Sequence, residues 1–205
     1  MAKVIILNAP PRSGKDTIAK LLAVQFGAEP AMFKSSMFKI VKAMIGDRNF
    51  AKFMEVYETD AKDTERLNFL AGHTCREMMI LVSETVVKPM FGKRHFGNLS
   101  AESIELKGKS LYVFSDGGFQ DEIESLLDAG HQVNIFRLHR QGFDFSNDSR
   151  DYIYMNDRWG CGQLKEFGLR LVEGMPHIAV DDIGYLLGIS NPDFNPPDFN
   201  DDIPW

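Results

Sequence analysis

The sequence predicts an α/β domain, in which a parallel sheet of about five strands is flanked by helices, followed by a flexible acidic tail. Short apolar runs that suit buried strands alternate with segments of helical spacing, as in a parallel sheet. A Ser-Gly-Lys loop stands between the first strand and the first helix. The 205 residues are 44% hydrophobic and 25% charged, which is typical of a globular chain that needs no disulfide or metal for its core.

The first elements follow from apolar spacing. Residues 4–7 (Val-Ile-Ile-Leu) form a short apolar run typical of a buried strand. Residues 17–26 carry apolar side chains at helical spacing, so a helix is expected there. A short second strand is expected at 31–33, and a helix at 37–45 that ends at Gly46.

The middle of the chain is more helical. Residues 50–91 have a helical pattern with few breakers, and residues 92–109 hold three glycines and several polar residues, which favours a loop region. A strand is expected at 111–114, an amphipathic helix at 121–129 and a strand at 133–138.

The last third contains weaker signals. Residues 142–150 are polar and rich in turn formers, residues 152–155 are the candidate fifth strand, and residues 164–172 favour a helix. Residues 191–205 hold four of the nine prolines and no basic residue, so we expect a flexible tail after a domain at 1–190.

Charge and composition exclude several functions. The net charge is −6, and residues 171–205 supply seven acids and no base, which leaves a nearly neutral body. This balance argues against direct binding to duplex DNA. No run of eighteen apolar residues is present, so no membrane span is expected. Cys75 and Cys161 stand alone without metal-ligand spacing and indicate reduced thiols in the cytoplasm.

The strongest motif is the loop at residues 9–17, Ala-Pro-Pro-Arg-Ser-Gly-Lys-Asp-Thr. It matches the end of the P-loop pattern, Gly-x-x-x-x-Gly-Lys-Ser/Thr, between a strand and a helix, and so predicts a P-loop NTPase. Backbone N–H groups of such a loop face phosphate oxygens, the glycine allows close approach, and the lysine adds a positive charge. The residues expected to bind ATP are Arg12, Ser13, Gly14, Lys15, Asp16 and Thr17.

Two positions depart from that pattern. Ala9 replaces the first glycine, and Asp16 stands where Ser or Thr usually reaches Mg²⁺, with Thr17 one residue later. We expect Asp16 and Thr17 to hold Mg²⁺, directly or through water. The alternative, a chance Ser-Gly-Lys turn, is disfavoured by the strand before the loop and the helix after it.

The stretch Arg-Ser-Gly-Lys-Asp-Thr at residues 12–17 resembles the bacteriophage deoxynucleoside monophosphate kinases, P-loop proteins of the nucleoside monophosphate kinase fold. Their loop typically reads Gly-Lys-Asp-Thr, so Asp16 agrees with that family and Ala9 departs from it. Related loops occur in phosphomevalonate kinases, so the loop alone leaves the substrate open. The resemblance extends in element order over roughly residues 1–172.

Shorter segments are similar to the same family. Residues 33–36 resemble the start of a substrate-binding helix, and residues 74–77 resemble an arginine-containing helix that binds the acceptor phosphate. Residues 115–119 with Glu122 resemble the family's Asp-x-Arg-Phe-x-x-Glu, although Gly118 replaces the arginine.

This resemblance implies roles for individual residues. Lys15, Arg140 and Arg150 would act on the transferred phosphate, with Arg140 and Arg150 flanking the lid segment. The residues that would bind substrate are Ser35, Lys39, Arg76 and Asp116. Any single arginine or lysine is alternatively a solvated surface residue. Asp116 is alternatively the N-cap of the helix that follows it.

The tail carries a second resemblance. Its last residues, Asp201, Asp202, Ile203, Pro204 and Trp205, resemble the acidic C-terminal tip of bacterial single-stranded DNA-binding proteins, which ends Asp-Asp-Ile-Pro-Phe. If Trp205 ends the chain, this tip would dock to replication or repair proteins, those of a host if the source is a phage. The alternative is a solubilising acidic tail.

These observations predict phosphoryl transfer from ATP, with Mg²⁺, to a nucleoside or deoxynucleoside monophosphate, giving the diphosphate for DNA synthesis. A second hypothesis is a degenerate kinase-fold protein that acts through its tail on replication or repair enzymes, and the two functions can coexist. A third is another small-molecule kinase of the same fold.

Overall fold

The computed structural model describes residues 1–146, 150–155, 159–160 and 162–189. Within them lies a sheet of five parallel strands in the order β2-β3-β1-β4-β5. The strands are β1 (Lys3–Asn8), β2 (Glu29–Ala31), β3 (Leu111–Phe114), β4 (Gln132–His139) and β5 (Leu164–Arg170). The strand that precedes the Gly-Lys loop, β1, therefore occupies the centre.

Helices cover both faces of this sheet. They are α1 (Lys15–Phe26), α2 (Ser35–Tyr57), α3 (Cys75–Ile80), α4 (Lys88–Phe91), α5 (His95–Lys107), α6 (Gln120–Asp128) and α7 (Pro176–Leu187). A π-helical segment, Leu81–Val87, joins α3 to α4.

The sheet is buried because consecutive apolar residues of β1 face opposite sides. Val4 and Ile6 belong to a core cluster with α5 and α6, whereas Ile5 and Leu7 belong to a second cluster with α1 and α7. A third cluster joins α2, α3 and the π-helical segment around Phe38, as a satellite core. The continuous apolar run in β1 is what a parallel strand covered on both faces requires.

The predicted α/β class with five parallel strands and flanking helices is confirmed. The strands expected at 4–7, 111–114 and 133–138 are present, with bounds that differ by one residue or so. The helix expected at 37–45 breaks at Gly46, as predicted, where φ is 77° and ψ is 163°, and a second helical stretch continues across this kink to Tyr57.

Two predicted segments are wrong at the end of the sheet. Residues 164–172, expected as a helix, contain β5, because alternate residues Phe167, Leu169 and Leu171 pack on the α1–α7 side of the sheet. Residues 152–155, expected as the fifth strand, are not a strand, since β5 occupies the edge position beside β4.

Three further differences concern helices and the second strand. Residues 92–109, expected as a loop, contain α5, whose Ala101 and Ile104 pack into the core. The second strand ends at Ala31 rather than beginning there. Helix α7 has no counterpart among the predicted elements.

The acidic tail lies outside the described residues, so the division into a domain at 1–190 and a tail at 191–205 stays a prediction. Among the helices that the structure describes, none combines the length and the apolar character that crossing a membrane requires.

The contact between α1 and α7 is close at Gly184. A Cβ added there would lie 2.5 Å from Cζ and 3.1 Å from Cε2 of Phe26. Alanine in place of a helical glycine normally adds about 0.5–1 kcal/mol of stability. Here we expect Gly184→Ala to lower the free energy of unfolding, because overpacking costs about 1–3 kcal/mol.

Urea unfolding measures this change, with Tyr185→Ala as the control, because Tyr185 lies on the same helix and is 87% exposed. An unchanged or higher free energy of unfolding for Gly184→Ala would contradict the expected overpacking against Phe26.

Candidate phosphate-binding site

The Gly-Lys loop connects the end of β1 to the first turn of α1. Gly14 caps α1 with φ 97°, a left-handed conformation that favours glycine. The buried Ser13 hydroxyl donates a hydrogen bond to the Pro10 carbonyl at 2.8 Å, and Lys15 Nζ lies 3.4 Å from the same oxygen. The lysine side chain therefore folds back over a closed loop at a helix N-terminus, an arrangement suited to an anion.

The predicted magnesium ligands lie beside this loop. Asp16 is exposed and Thr17 half-buried, both in the first turn of α1. Mg²⁺ usually takes one or two protein oxygens and completes its shell with water and phosphate oxygens. The two side chains fit that limited role, and within the described part of the chain no group of three or more metal-binding side chains occurs.

Asn8 ties the neighbouring segments to the end of β1. Its buried side chain accepts a hydrogen bond from the Ile153 N–H at 2.8 Å. Its amide nitrogen donates to the carbonyl oxygens of Asp151 at 3.2 Å and Gly117 at 3.4 Å. The chain after β3 and the chain at 151–153 are thus held at the carboxyl edge of the sheet, next to the phosphate loop.

Asp116 lies at this edge but is not the N-cap that one hypothesis made it, since α6 begins after Phe119 without a side-chain cap. Its two oxygens accept hydrogen bonds from the N–H groups of Phe33 and Lys34, both at 3.1 Å. Burial raises the pKa of Asp116, against the opposing effect of the Lys34 charge. Asp116 therefore fixes the chain that leads into α2.

Arg150 lies against Gly118, the position where the resembling family has an arginine. A Cβ added to Gly118 would lie 2.8 Å from Cγ and 3.4 Å from Cβ of Arg150. The half-buried Arg150 side chain thus fills the space beside Gly118, near the end of β3.

Two predicted phosphate-binding arginines meet one acidic turn, the 3₁₀ segment Asp60–Asp63. Arg12 forms an ion pair with Asp60, and Arg76, at the start of α3, forms one with Asp63. The hydrogen bond from Arg76 lowers the pKa of Asp63, and the charge of Arg12 contributes to that shift. The turn therefore brings Arg12 and Arg76 into one neighbourhood.

The remaining predicted residues are more dispersed. Arg140 follows β4, pairs with Glu173 at 3.1 Å and lies over the Phe143 ring at 4.6 Å. Ser35 is the first residue of α2, whereas Lys39 is exposed one turn further along the helix. The docking residues Asp201, Asp202, Ile203, Pro204 and Trp205 lie outside the described residues.

A pocket of about 650 Å³ opens beyond the end of β4. Its lining combines two arginines, two aspartates and several aromatic rings; it includes Arg140, Arg150, Asp144, Asp151, His139, Phe143, Phe145 and Tyr152. Aromatic faces and guanidinium groups suit a flat, anionic ligand such as a nucleotide.

Sequence reasoning missed Asn8 and Asp63. Asn8 is a polar residue at the end of an apolar strand, and that position in an open α/β sheet was a usable signal. Asp63 carried no signal, because its closeness to Arg76 depends on how two distant segments pack.

Glu122 is a buried carboxyl beneath this edge. Its Oε2 atom has no hydrogen-bond partner among the described residues. Burial, together with the nearby charge of Asp116, raises the pKa of Glu122 to about 8. The side chain is therefore mostly protonated at neutral pH.

No protein-family model and no curated protein matches this chain. Solved structures that are similar include a sugar kinase from a Janibacter species, with 13% identity and a TM-score of 0.47, covering 92% of this chain and 96% of that one. A gluconokinase from Sinorhizobium meliloti has 11% identity and a TM-score of 0.36, covering 91% and 95%. Both TM-scores lie below 0.5, so neither likeness indicates a function for this chain.

Glu122 gives stability a defined pH dependence. Its folded pKa lies above the ordinary value of 4.5, so between pH 4.5 and about 8 the native state keeps a proton that the unfolded chain releases. The free energy of unfolding should fall as pH rises through this window, by at most about 1.4 kcal/mol per pH unit for one proton. We expect Glu122→Gln to remove this slope.

Thermal or urea unfolding at several pH values measures the effect. Glu102→Gln, the same charge change at an exposed position on α5, is the control and should keep the wild-type slope. Parallel curves for wild type and Glu122→Gln would contradict a protonated Glu122.

Proposed function

We propose that this protein is an ATP-dependent kinase that transfers the γ-phosphoryl group to a nucleoside or deoxynucleoside monophosphate. The observation that carries the proposal is the closed loop around Gly14 with the buried Lys15 folded over it. Arginines from separate segments, Arg12, Arg76 and Arg150, lie around the same edge of the sheet and suit a reaction between two anionic phosphates.

The reaction needs alignment and charge compensation more than covalent chemistry from the protein. An ionised oxygen of the acceptor phosphate attacks the γ-phosphorus, and the bond from that phosphorus to the β–γ bridging oxygen breaks, leaving ADP. Lys15 and the loop N–H groups would hold the β- and γ-phosphates, and Arg150 would offset charge on the moving group. Bound Mg²⁺, held beside Asp16 and Thr17, would supply further neutralisation of the triphosphate.

Arg76 is the proposed ligand of the acceptor phosphate. Its side chain is 49% exposed, and its guanidinium group already holds the Asp63 carboxylate. A phosphate can replace that carboxylate, because it also presents two oxygens that the planar guanidinium can bind together. The exchange is inexpensive because an exposed ion pair contributes little stability.

The pocket beyond β4 is the proposed site of a nucleoside. Its aromatic lining and its two arginines lie between the end of β4 and residue 152, beside the segment that Asn8 fixes. This arrangement favours a nucleotide over an uncharged sugar as one of the two substrates. Base preference is a matter for the assay.

Lys15 is expected to contribute directly to phosphoryl transfer. In an assay of ADP release with ATP, Mg²⁺ and each common nucleoside and deoxynucleoside monophosphate, one acceptor or a few should give turnover. Lys15→Ala should lower kcat at least on the order of a hundredfold, because a preorganised charge on the transferred group is lost. Lys20→Ala is the matched control, since Lys20 is exposed on the same helix.

Equal loss in both lysine variants would point to damage to α1 rather than to phosphate binding. Absence of turnover with every acceptor would overturn the proposed activity and favour the hypothesis of a degenerate kinase fold.

The proposed role of Arg76 predicts that its loss affects binding of the acceptor and not binding of ATP. Arg76→Ala should raise the KM of the acceptor by about ten- to a hundredfold, the equivalent of one charge-assisted hydrogen-bond pair, and leave the KM of ATP unchanged. Arg66→Ala is the control, because Arg66 lies nearby in a similar exposed ion pair with Glu77.

An unchanged acceptor KM in Arg76→Ala would place the acceptor phosphate elsewhere. A rise in both KM values would indicate that Arg76 supports the phosphate loop through its neighbour Arg12 rather than the acceptor.

A further inference from the structure

Arg150 is fixed first through its backbone. The carbonyl oxygen of the next residue, Asp151, accepts a hydrogen bond from the Asn8 side-chain amide at 3.2 Å, and the N–H of Ile153 donates to the Asn8 side-chain oxygen at 2.8 Å. Asn8 is the last residue of the central strand. The chain at Arg150 is therefore attached to β1, just before the phosphate loop begins.

The position of the Arg150 side chain also depends on Gly118, because the side chain occupies the space that a larger residue at 118 would fill. An added Cβ would lie 2.8 Å from Cγ of Arg150, closer than real Cβ atoms come to their neighbours. Gly118 does not have the positive φ of the chain's left-handed glycines. Glycine is therefore required here for space rather than for backbone conformation.

Electrostatics place the Arg150 charge at the same edge of the sheet. Burial raises the pKa of Asp116, and the positive charge of Arg150 is among the influences that oppose this rise. Asp116 follows the end of β3, and β3 pairs with β1. The guanidinium group therefore acts near the gap between the ends of these two strands, beside the phosphate loop.

We propose that Gly118 is a positioning residue whose missing side chain holds Arg150 at the phosphate-binding edge before substrates arrive. Arg150 is then a preorganised cation rather than one carried in by a closing lid. This inference rests on the proposed function, since the anion it serves there is the transferred phosphate. A charge that is already in place costs no reorganisation during the reaction.

A double-mutant cycle tests this role with Gly118→Ala, Arg150→Ala and the double variant. Gly162→Ala is the matched control, because a Cβ at Gly162 meets nothing within 4 Å and Gly162 also has no positive φ. Two readouts are taken for each protein: kcat and KM in the ADP-release assay, and the free energy of unfolding in urea.

Gly118→Ala should lower kcat by about tenfold or more with little change in the KM of ATP, as expected when a preorganised charge is displaced. The double variant should be no slower than Arg150→Ala alone, because Gly118 acts only through Arg150. Gly162→Ala should behave as wild type.

Wild-type kinetics in Gly118→Ala, or effects of the two single variants that multiply in the double variant, would overturn the inference. The unfolding cycle separates this failure from failure of the proposed function. If the wild type shows no acceptor-dependent turnover, non-additive unfolding effects at Gly118 and Arg150 still support the contact, and additive effects overturn it.

Discussion

The side-chain amide of Asn8 is the interaction on which the candidate site depends. A buried amide must satisfy both a carbonyl and an NH₂ group, and Asn8 does so with three backbone groups from two distant segments. Because Asn8 ends the central strand and immediately precedes the phosphate loop, one side chain fixes the loop after β3 and the chain beyond β4 relative to that loop. Losing it would leave several buried polar groups unpaired at once.

Several arginines near Asn8 are neutralised by carboxylates of the protein itself. Arg12, Arg76 and Arg140 each pair with a carboxylate, and all three carboxylates are substantially exposed. Exposed ion pairs are worth little, so a bidentate phosphate can exchange with them. Burial determines the opposite behaviour below the edge, where Asp116 holds backbone N–H groups and Glu122 keeps its proton. The exposed ion pairs at this edge can therefore exchange with anions, whereas the carboxyl groups below them keep their hydrogen bonds or their proton.

Sequence patterns within a short window predicted the elements whose conformation depends mainly on neighbouring residues. The apolar run of β1, the loop around Gly14 and the helix after it were readable because strand, turn and helix signals follow one another within 26 residues. Residues 164–172 were predicted as a helix because Leu164, Phe167 and Leu171 fit a helical spacing, although Phe167, Leu169 and Leu171 fit the alternating spacing of a strand. The free position beside β4 settled the choice, and no short window of sequence contains that information.

The sequence by itself determined the α/β class, the central strand and the Gly-Lys loop, because these follow from periodicity and from residue types that only a few conformations accept. The tertiary structure alone decided which arginines share a neighbourhood. Arg12 and Arg76 meet at the turn Asp60–Asp63, and Arg150 fills the space beside Gly118, a residue far from it along the chain. Such pairings depend on how strands and loops pack, and packing brings together residues whose order in the chain does not reveal their contact.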